Sequence, residues 1–411
     1  MPIDFERIPP RVDVPPAPRP SALLWAALLC LALCIGVTVT VLSWTDGSPT
    51  SNAWFWLCAV GYPVLGCGFL LVASLAYRHT ARQSALAQNR VSEQTEQTCH
   101  TAASRPLAVH GYGWRFSSDK DLNSLQSLVD GKVQSELRAS AAFPGKDVNA
   151  RWIDVPDEPF YPGNELGEHA RHLAVCDWLI SSVLDDLAES LRKLPAHTGL
   201  HVHLCLQSGL KPEPVVEQLR RTLKIRYPSL NSTINHEEAL SIFATDAWLD
   251  QEIEKTVHLV IAIQLRDAIS KLLDGGVAEA GTALLLGDLR WSKDAGAPAL
   301  CLHRPARGEM EEVAKLIGLA SRWGCVDATD LDSVWTQGTS VDGLGQIRRA
   351  ANIDAEISWR QIEASVGDCS EAGVWLAAAL AAANANSTSK PQLILCAQGH
   401  ELIALVCRRE T

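Results

Sequence analysis

GDCSEAGVWLAAAL, residues 367–380, sets a cysteine between an acid and a serine and then runs straight into an apolar stretch. The run continues through small residues to an Asn-rich stop, so 369–386 reads as a helix. Behind it, KPQLILCAQG (390–399) and HELIALVCRR (400–409) read as two strands joined by a tight turn at Gln398-Gly399. A helix N-terminus lowers a thiol pKa, which makes Cys369 a possible nucleophile. A nucleophile needs a base, however, and the enzymatic reading of this region, Cys369 and Cys396 with His400, has no second one. The preferred reading is a small residue beside the helix caps Asp368 and Ser370, with Cys396 buried at a strand end.

Upstream, short apolar runs alternate with amphipathic segments, the pattern of an α/β region. LAVHGYGWRF (107–116), LHVHLCLQSG (200–209), VHLVIAIQL (257–265), AGTALLLG (280–287) and PALCLHR (298–304) read as strands. Residues 169–194, 212–227 and 308–324 read as helices, with Pro212 and Glu213 suited to a first turn. The most apolar strands suit a sheet covered on both faces. The polar stretch 231–238 divides the region into two α/β halves, 106–235 and 236–411, forming a mixed sheet; no residue-level repeat relates them.

The N-terminal quarter differs in kind. Residues 21–44 and 53–77 are uncharged and long enough to cross a hydrocarbon core of about 30 Å, with Pro63 expected to kink the second. They form a transmembrane hairpin over 21–77, between a proline-rich tail (1–20) and a polar linker or stalk (78–105). The loop TDGSPTSN (45–52) has no Lys or Arg, whereas Arg7, Arg11 and Arg19 precede the hairpin and Arg78, Arg82 and Arg90 follow it. By the positive-inside rule both termini and the large region are cytoplasmic.

A net charge of −11 argues against nucleic acid as a partner. Four of the twelve cysteines lie in the spans and the rest are scattered without a CxxC pair, so neither a disulfide framework nor a zinc ribbon is expected. His201 and His203 share a strand face, but no further ligand stands at matching spacing and no metal is expected. DGGVAEAG (274–281) lacks the lysine of a phosphate loop. Leu206 stands where a nucleophile elbow around Ser208 requires glycine. The acidic groups DDLAES and EMEE read as solvated helix faces, and no cofactor is expected.

VGDCSEAGVWLAAALAAA and LILCAQGHELIALVCRRE together resemble the helix and terminal strand pair of thiolase-like and ketosynthase-like proteins, whose active members support a cysteine nucleophile with histidines. The resemblance implies a fold, while Cys396, Gly399 and His400 only echo the glycine-bearing terminal loop. A second resemblance, carried by LHVHLCLQSG, ATDAWLDQEIEKTVHLVIAIQLRD, VAEAGTALLLGDL and ALCLHRPARGEMEEV in that order, is to adaptor proteins of the bacterial type VI secretion system. It implies a non-enzymatic, membrane-tethered adaptor at the inner membrane, with a lipase effector and the secretion spike protein as partners. The alternative is an acyl-transferring enzyme on a thiolase-like fold, using a cysteine nucleophile.

Overall fold

The computed structural model of the chain describes residues 5, 8–17, 19–44, 51–195, 198–250, 256–290, 298–351, 353–354, 356–399 and 401–410. Arg7, positions 45–50 of the loop between the apolar segments and His400 lie outside them. Two compact units divide the chain, one within 3–99 and one comprising 100–411.

In the first unit Ser21 caps helix α1 (Ala22–Ser43), its hydroxyl accepting from the Leu24 amide. After a short turn of helix at Ala53–Trp56, five π-helical residues (Leu57–Gly61) lead into α2 (Tyr62–Ala103). Pro63 supplies no N–H to the helix ladder, and the widened turn just before it absorbs that loss. Among the described residues, two helices are long and apolar enough to cross a membrane. Residues 78–103 continue the second one without a break. Alongside that continuation the Val12 amide and carbonyl are clamped by the Asn89 side chain at 2.8 and 2.9 Å, Ser92 donates to Pro9 O, and Arg11 pairs with Glu96.

In the second unit an 11-stranded sheet is built from β1 (Leu107–Arg115), β4 (Gly199–Gln207), β5 (Asn231–Glu237), β6 (Thr256–Gln264), β7 (Ala280–Gly287), β8 (Leu300–Leu302), β9 (Ala306–Glu309), β10 (Ser333–Gln337), β11 (Ser358–Gln361), β12 (Gln392–Gln398) and β13 (Glu401–Arg409). A separate hairpin, β2 (Leu137–Ala139) and β3 (Asp147–Asn149), lies in the long β1–β4 connection. Outward from the central antiparallel pair β1·β8, one side runs β1-β7-β6-β4-β5 and the other β8-β13-β12-β10-β11. On each side the first two contacts are antiparallel and the next two parallel. With β2, β3 and β9 set aside, both sides use their strands in the order first, fifth, fourth, second, third. The fold is thus one supersecondary plan used twice. The repeat turns over between Gly287 and Leu300, so the division at 235/236 drawn from a polar stretch falls at β5, inside the first repeat.

The helices follow the same plan. α3 (Glu165–Asp186) corresponds to α6 (Val313–Trp323), α4 (Pro212–Arg226) to α7 (Val341–Ala350), and the short α5 (Ala244–Leu249) to α8 (Ser370–Thr388). One face of the first repeat packs Leu200, Val202, Leu259 and Ile261 against Val175, Leu179 and Leu219 of α3 and α4. On the opposite face Val260, Ala262, Leu284 and Leu286 share a core with α8, a helix buried from Ala372 to Ala385. Burial on both faces explains the unbroken apolar runs. Two polar groups anchor α8: Trp375 donates to Leu240 O at 2.8 Å, and Asn384 donates to the Gln392 side chain at 2.8 Å.

Several expected boundaries move. The helix expected over 169–194 starts earlier, at Glu165, where Asn164 caps it, and breaks at Leu187. The one expected from 308 begins at Val313, because Arg307 and Gly308 pair with Ile403 and Leu402 of β13 and Met310–Glu312 form a 3₁₀ turn. The acidic stretch 309–312 is therefore not a helix face. Asp185 and Asp186 are engaged by Arg226 and Arg115. The closing hairpin pairs Gln398 with Glu401, so Gln398 belongs to the strand, not to the turn, and Gly399 takes the positive φ of 64°.

Candidate functional site

The head of α8 is built from backbone first. Gly367 has φ 115°, and a Cβ there would lie 2.7 Å from the Cβ of Ala278, so only glycine fits. The Asp368 amide donates to Gly276 O at 2.7 Å, and its carbonyl accepts from the Ala278 amide at 2.8 Å. The glycine-rich 274–281 segment therefore serves as a strut for this turn. Ser370 adopts φ 44°, unusual for a non-glycine, and is held by its amide bond to the Asp368 carboxylate and by Arg266 Nη2 on its hydroxyl.

Between them Cys369 is 2% exposed and its thiol points to Gly367 O, 3.5 Å away. Burial drives its pKa up, Asp368 and Glu363 add to the rise, and Arg266 and Arg151 oppose it. At neutral pH it is a thiol. Cys396, fully buried in β12, is likewise pushed up by burial and by Glu363. Among the described residues no histidine is hydrogen-bonded to either sulfur.

Arg266 is itself fixed by a buried ion cluster. Arg171 and Glu279 are fully buried, and Arg171 Nη1 bonds to Glu279 and to Glu168, each at 3.0 Å. Glu279 also accepts from the amides of Arg266 and Ile153, and Glu168 from the amides of Ile269 and Ser270. Each carboxylate oxygen in the cluster has a donor, the condition under which buried charge is tolerated. The cluster secures the end of β6 and aims Arg266 at α8.

A second group lies on the α8-facing side of β4 and β6. Strand alternation puts His201 and His203 on that face, and the register His201↔His258 brings His258 beside them. His203 Nδ1 is 2.9 Å from Glu237 Oε1, and its Nε2 is 3.1 Å from His258 Nδ1. Burial, with His203 and His201 nearby, lowers the pKa of His258 to about 3. Trp248 of α5 stacks on His258 and lies 6.3 Å from Trp375 of α8. The two nitrogens face each other instead of a common point, which is the geometry of a shared proton.

A cavity of about 310 Å³ opens in the β1–β4 connection, lined among others by Lys132, Glu136, Arg138, Arg151 and Trp152. Arg138 lies 3.4 Å over the Trp152 ring. Arg151 joins the cavity to the cysteine turn, donating from Nε to Val366 O at 3.1 Å.

Of the residues singled out from sequence, Cys369 heads α8, and Cys396 lies in the same hydrophobic core cluster. Ser208 makes a local turn, its hydroxyl accepting from the Leu210 amide. Sequence reasoning missed His258, Glu237 and Trp248. The apolar-His-apolar openings of LHVHL and VHLV were visible, but nothing short-range says that those strands adjoin.

The sequence matches no protein-family model and no curated protein. Solved structures are similar in fold. A ketosynthase/chain length factor superposes with a TM-score of 0.50 at 15% identity, over 75% of this chain and 100% of that one. The oxazolomycin ketosynthase domain of Streptomyces albus gives 0.49 at 12% identity, over 74% of this chain and 76% of that one. OleA of Xanthomonas campestris with cerulenin gives 0.45 at 12% identity, over 74% and 97%. The second unit has a thiolase-like fold. That finding overturns the expectation of a non-enzymatic type VI adaptor. The adaptor likeness rested on the order of short patches, and those patches are β4, β6, β7, β8 and β9 of the sheet with their flanks.

Proposed function

We propose that the chain is an acyl-transferring enzyme of thiolase-like fold, tethered at the bacterial inner membrane by its two apolar helices, with both termini and the large unit cytoplasmic. The reading is carried by the twice-used strand plan, which sets a cysteine at the head of a buried helix. A cavity lined by Lys132, Arg138 and Arg151 together with Glu136 and Asp154 adjoins that turn through Arg151, whose charge suits the anionic part of an acyl donor. Support for the orientation comes from the arginines flanking the hairpin and from the clamp of Val12 on Asn89, which requires the segments before the first span and after the second to share a side.

Transfer through Cys369 begins with loss of the thiol proton, followed by attack on the donor thioester and release of the donor thiol. Because the thiol is enclosed and its pKa raised, direct passage of the acyl group from donor to acceptor is the competing route. Full-length protein in detergent, offered acyl-coenzyme A donors of graded chain length, tests the reading by free-thiol release and intact mass. An acyl adduct lost in Cys369→Ala supports the covalent route. Release that persists in a Cys369→Ala/Cys396→Ala protein supports direct transfer. No release and no binding with any donor refutes the reading.

A further inference from the structure

Glu237, His203 and His258 form a line of titratable groups that acyl transfer leaves unused. The Glu237 side chain is 34% exposed while His258 is 2% exposed, so the line runs from the surface into the core. The two imidazoles lie within 22° of parallel, and Trp248 lies against both rings, 4.4 Å from His258 and 4.7 Å from His203. Trp248 belongs to α5, a helix of six residues whose Asp246, together with Asp250 capping its C-terminal end, pairs with Arg304.

We propose that this line is an acid-operated latch on α5, which accepts one added proton with Trp248 seated and releases α5 when a second arrives at His258. The gap of 3.1 Å between the ring nitrogens has room for one hydrogen. With both rings neutral, His203 donates from Nδ1 to Glu237 and accepts at Nε2 from His258. One added proton makes His203 a donor on both sides, and His258 moves its own hydrogen to Nε2. The charge then lies between a carboxylate and the face of Trp248, where it is stabilised. A second proton sets two N–H groups against each other and puts two cations together in the core.

The other groups facing His258 do not substitute for this arrangement. His201 of β4 meets it edge-on at 5.7 Å, Asp246 of α5 and Asp250 just after it are turned to Arg304, and Trp375 of α8 is uncharged. Burial holds the seated His258 at about 3, whereas a released histidine has its ordinary value near 6.5. Above that value the seated state is fully favoured. Below it the open state takes up the extra proton, and opening becomes about tenfold easier per pH unit.

Hydrogen exchange of the full chain in nanodiscs, corrected for intrinsic rates between pH 6.5 and 4.5, reads this directly. Protection of peptides covering 244–250 should fall about tenfold per pH unit and remain well below that of 256–264 throughout. His258→Gln should abolish the slope, and His201→Gln should leave it. If His258→Gln does not fold, Glu237→Gln serves instead. It removes the anion that offsets the first proton and should move the loss of protection up by about one pH unit. An unchanged slope in His258→Gln, or, where that variant does not fold, an unmoved pH of protection loss in Glu237→Gln, or α5 protection equal to that of β6 at every pH in the wild type, overturns the latch.

Discussion

Arg266 donates from Nη2 to the Ser370 hydroxyl at 2.7 Å, so the residue after Cys369 is held by a side chain whose own backbone amide is fixed by Glu279. A buried charge cluster and a buried thiol thereby share one mechanical connection. Removing Arg171 leaves Glu279 and Glu168 enclosed without their counter-charge. Arg171→Ala should destabilise the second unit by about 3–5 kcal/mol, measured as a drop in denaturant midpoint.

Thiol chemistry should follow enclosure. Cys325 is exposed, whereas Cys369 and Cys396 are buried with raised pKa values. Alkylation at neutral pH followed by peptide mass mapping should label Cys325 at least a hundredfold faster than either. Arg266→Ala should speed labelling of Cys369 and leave Cys396 unchanged, because only the Cys369 turn loses a support.

Glycines in two environments should respond oppositely to alanine. Gly367→Ala forces a side chain into a φ of 115° and against Ala278, and should cost about 1–3 kcal/mol. Gly345, inside α7 with nothing near its missing Cβ, should gain up to about 1 kcal/mol from the same change. Thermal midpoints of the two variants should move in opposite directions.

Acid should weaken the second unit before its carboxylates titrate. Burial depresses His258 to about 3 and His110 and His303 to about 4, from an ordinary 6.5. A depressed value means that the folded chain excludes a proton the unfolded chain accepts. Stability is therefore complete above about pH 6.5 and is lost as pH falls toward 4, at about 1.4 kcal/mol per pH unit for each histidine engaged. Denaturant midpoints between pH 7.5 and 4.5 should show this slope, and each His→Gln variant should reduce it.

Features that depend on neighbours in sequence were legible. The two apolar segments, the strands 257–265 and 280–287 and the helix beginning at Cys369 follow from local composition, and each starts within a few residues of where it was expected, although the second apolar segment continues as helix to Ala103. What depends on pairing was not. The duplication is carried by the order of strands rather than by similar residues, so comparing 106–235 with 236–411 could not reveal it. In β4, period two put His201 and His203 on one face, but their neighbour His258 arrives from 55 residues beyond His203. Helix α5 escaped notice because six residues with one aspartate and no periodicity give no signal.

The helix that fills the second repeat has no outside. From Ala372 to Ala385 every residue of α8 is buried, so the contrast of polar and apolar sides that normally fixes how a helix is rotated is missing. Trp375 and Asn384 take over that role. They stand nine residues apart, half a turn out of phase at 100° per residue and about 13 Å along the axis. One is hooked to Leu240 beside the first repeat and the other to Gln392 in the second. A screw motion of one residue would break both hooks and leave two polar groups stranded among alanines. The small side chains let the helix fit, and these two decide which way it faces, so the angle at which Cys369 meets its turn is set by hydrogen bonds far along the same rod.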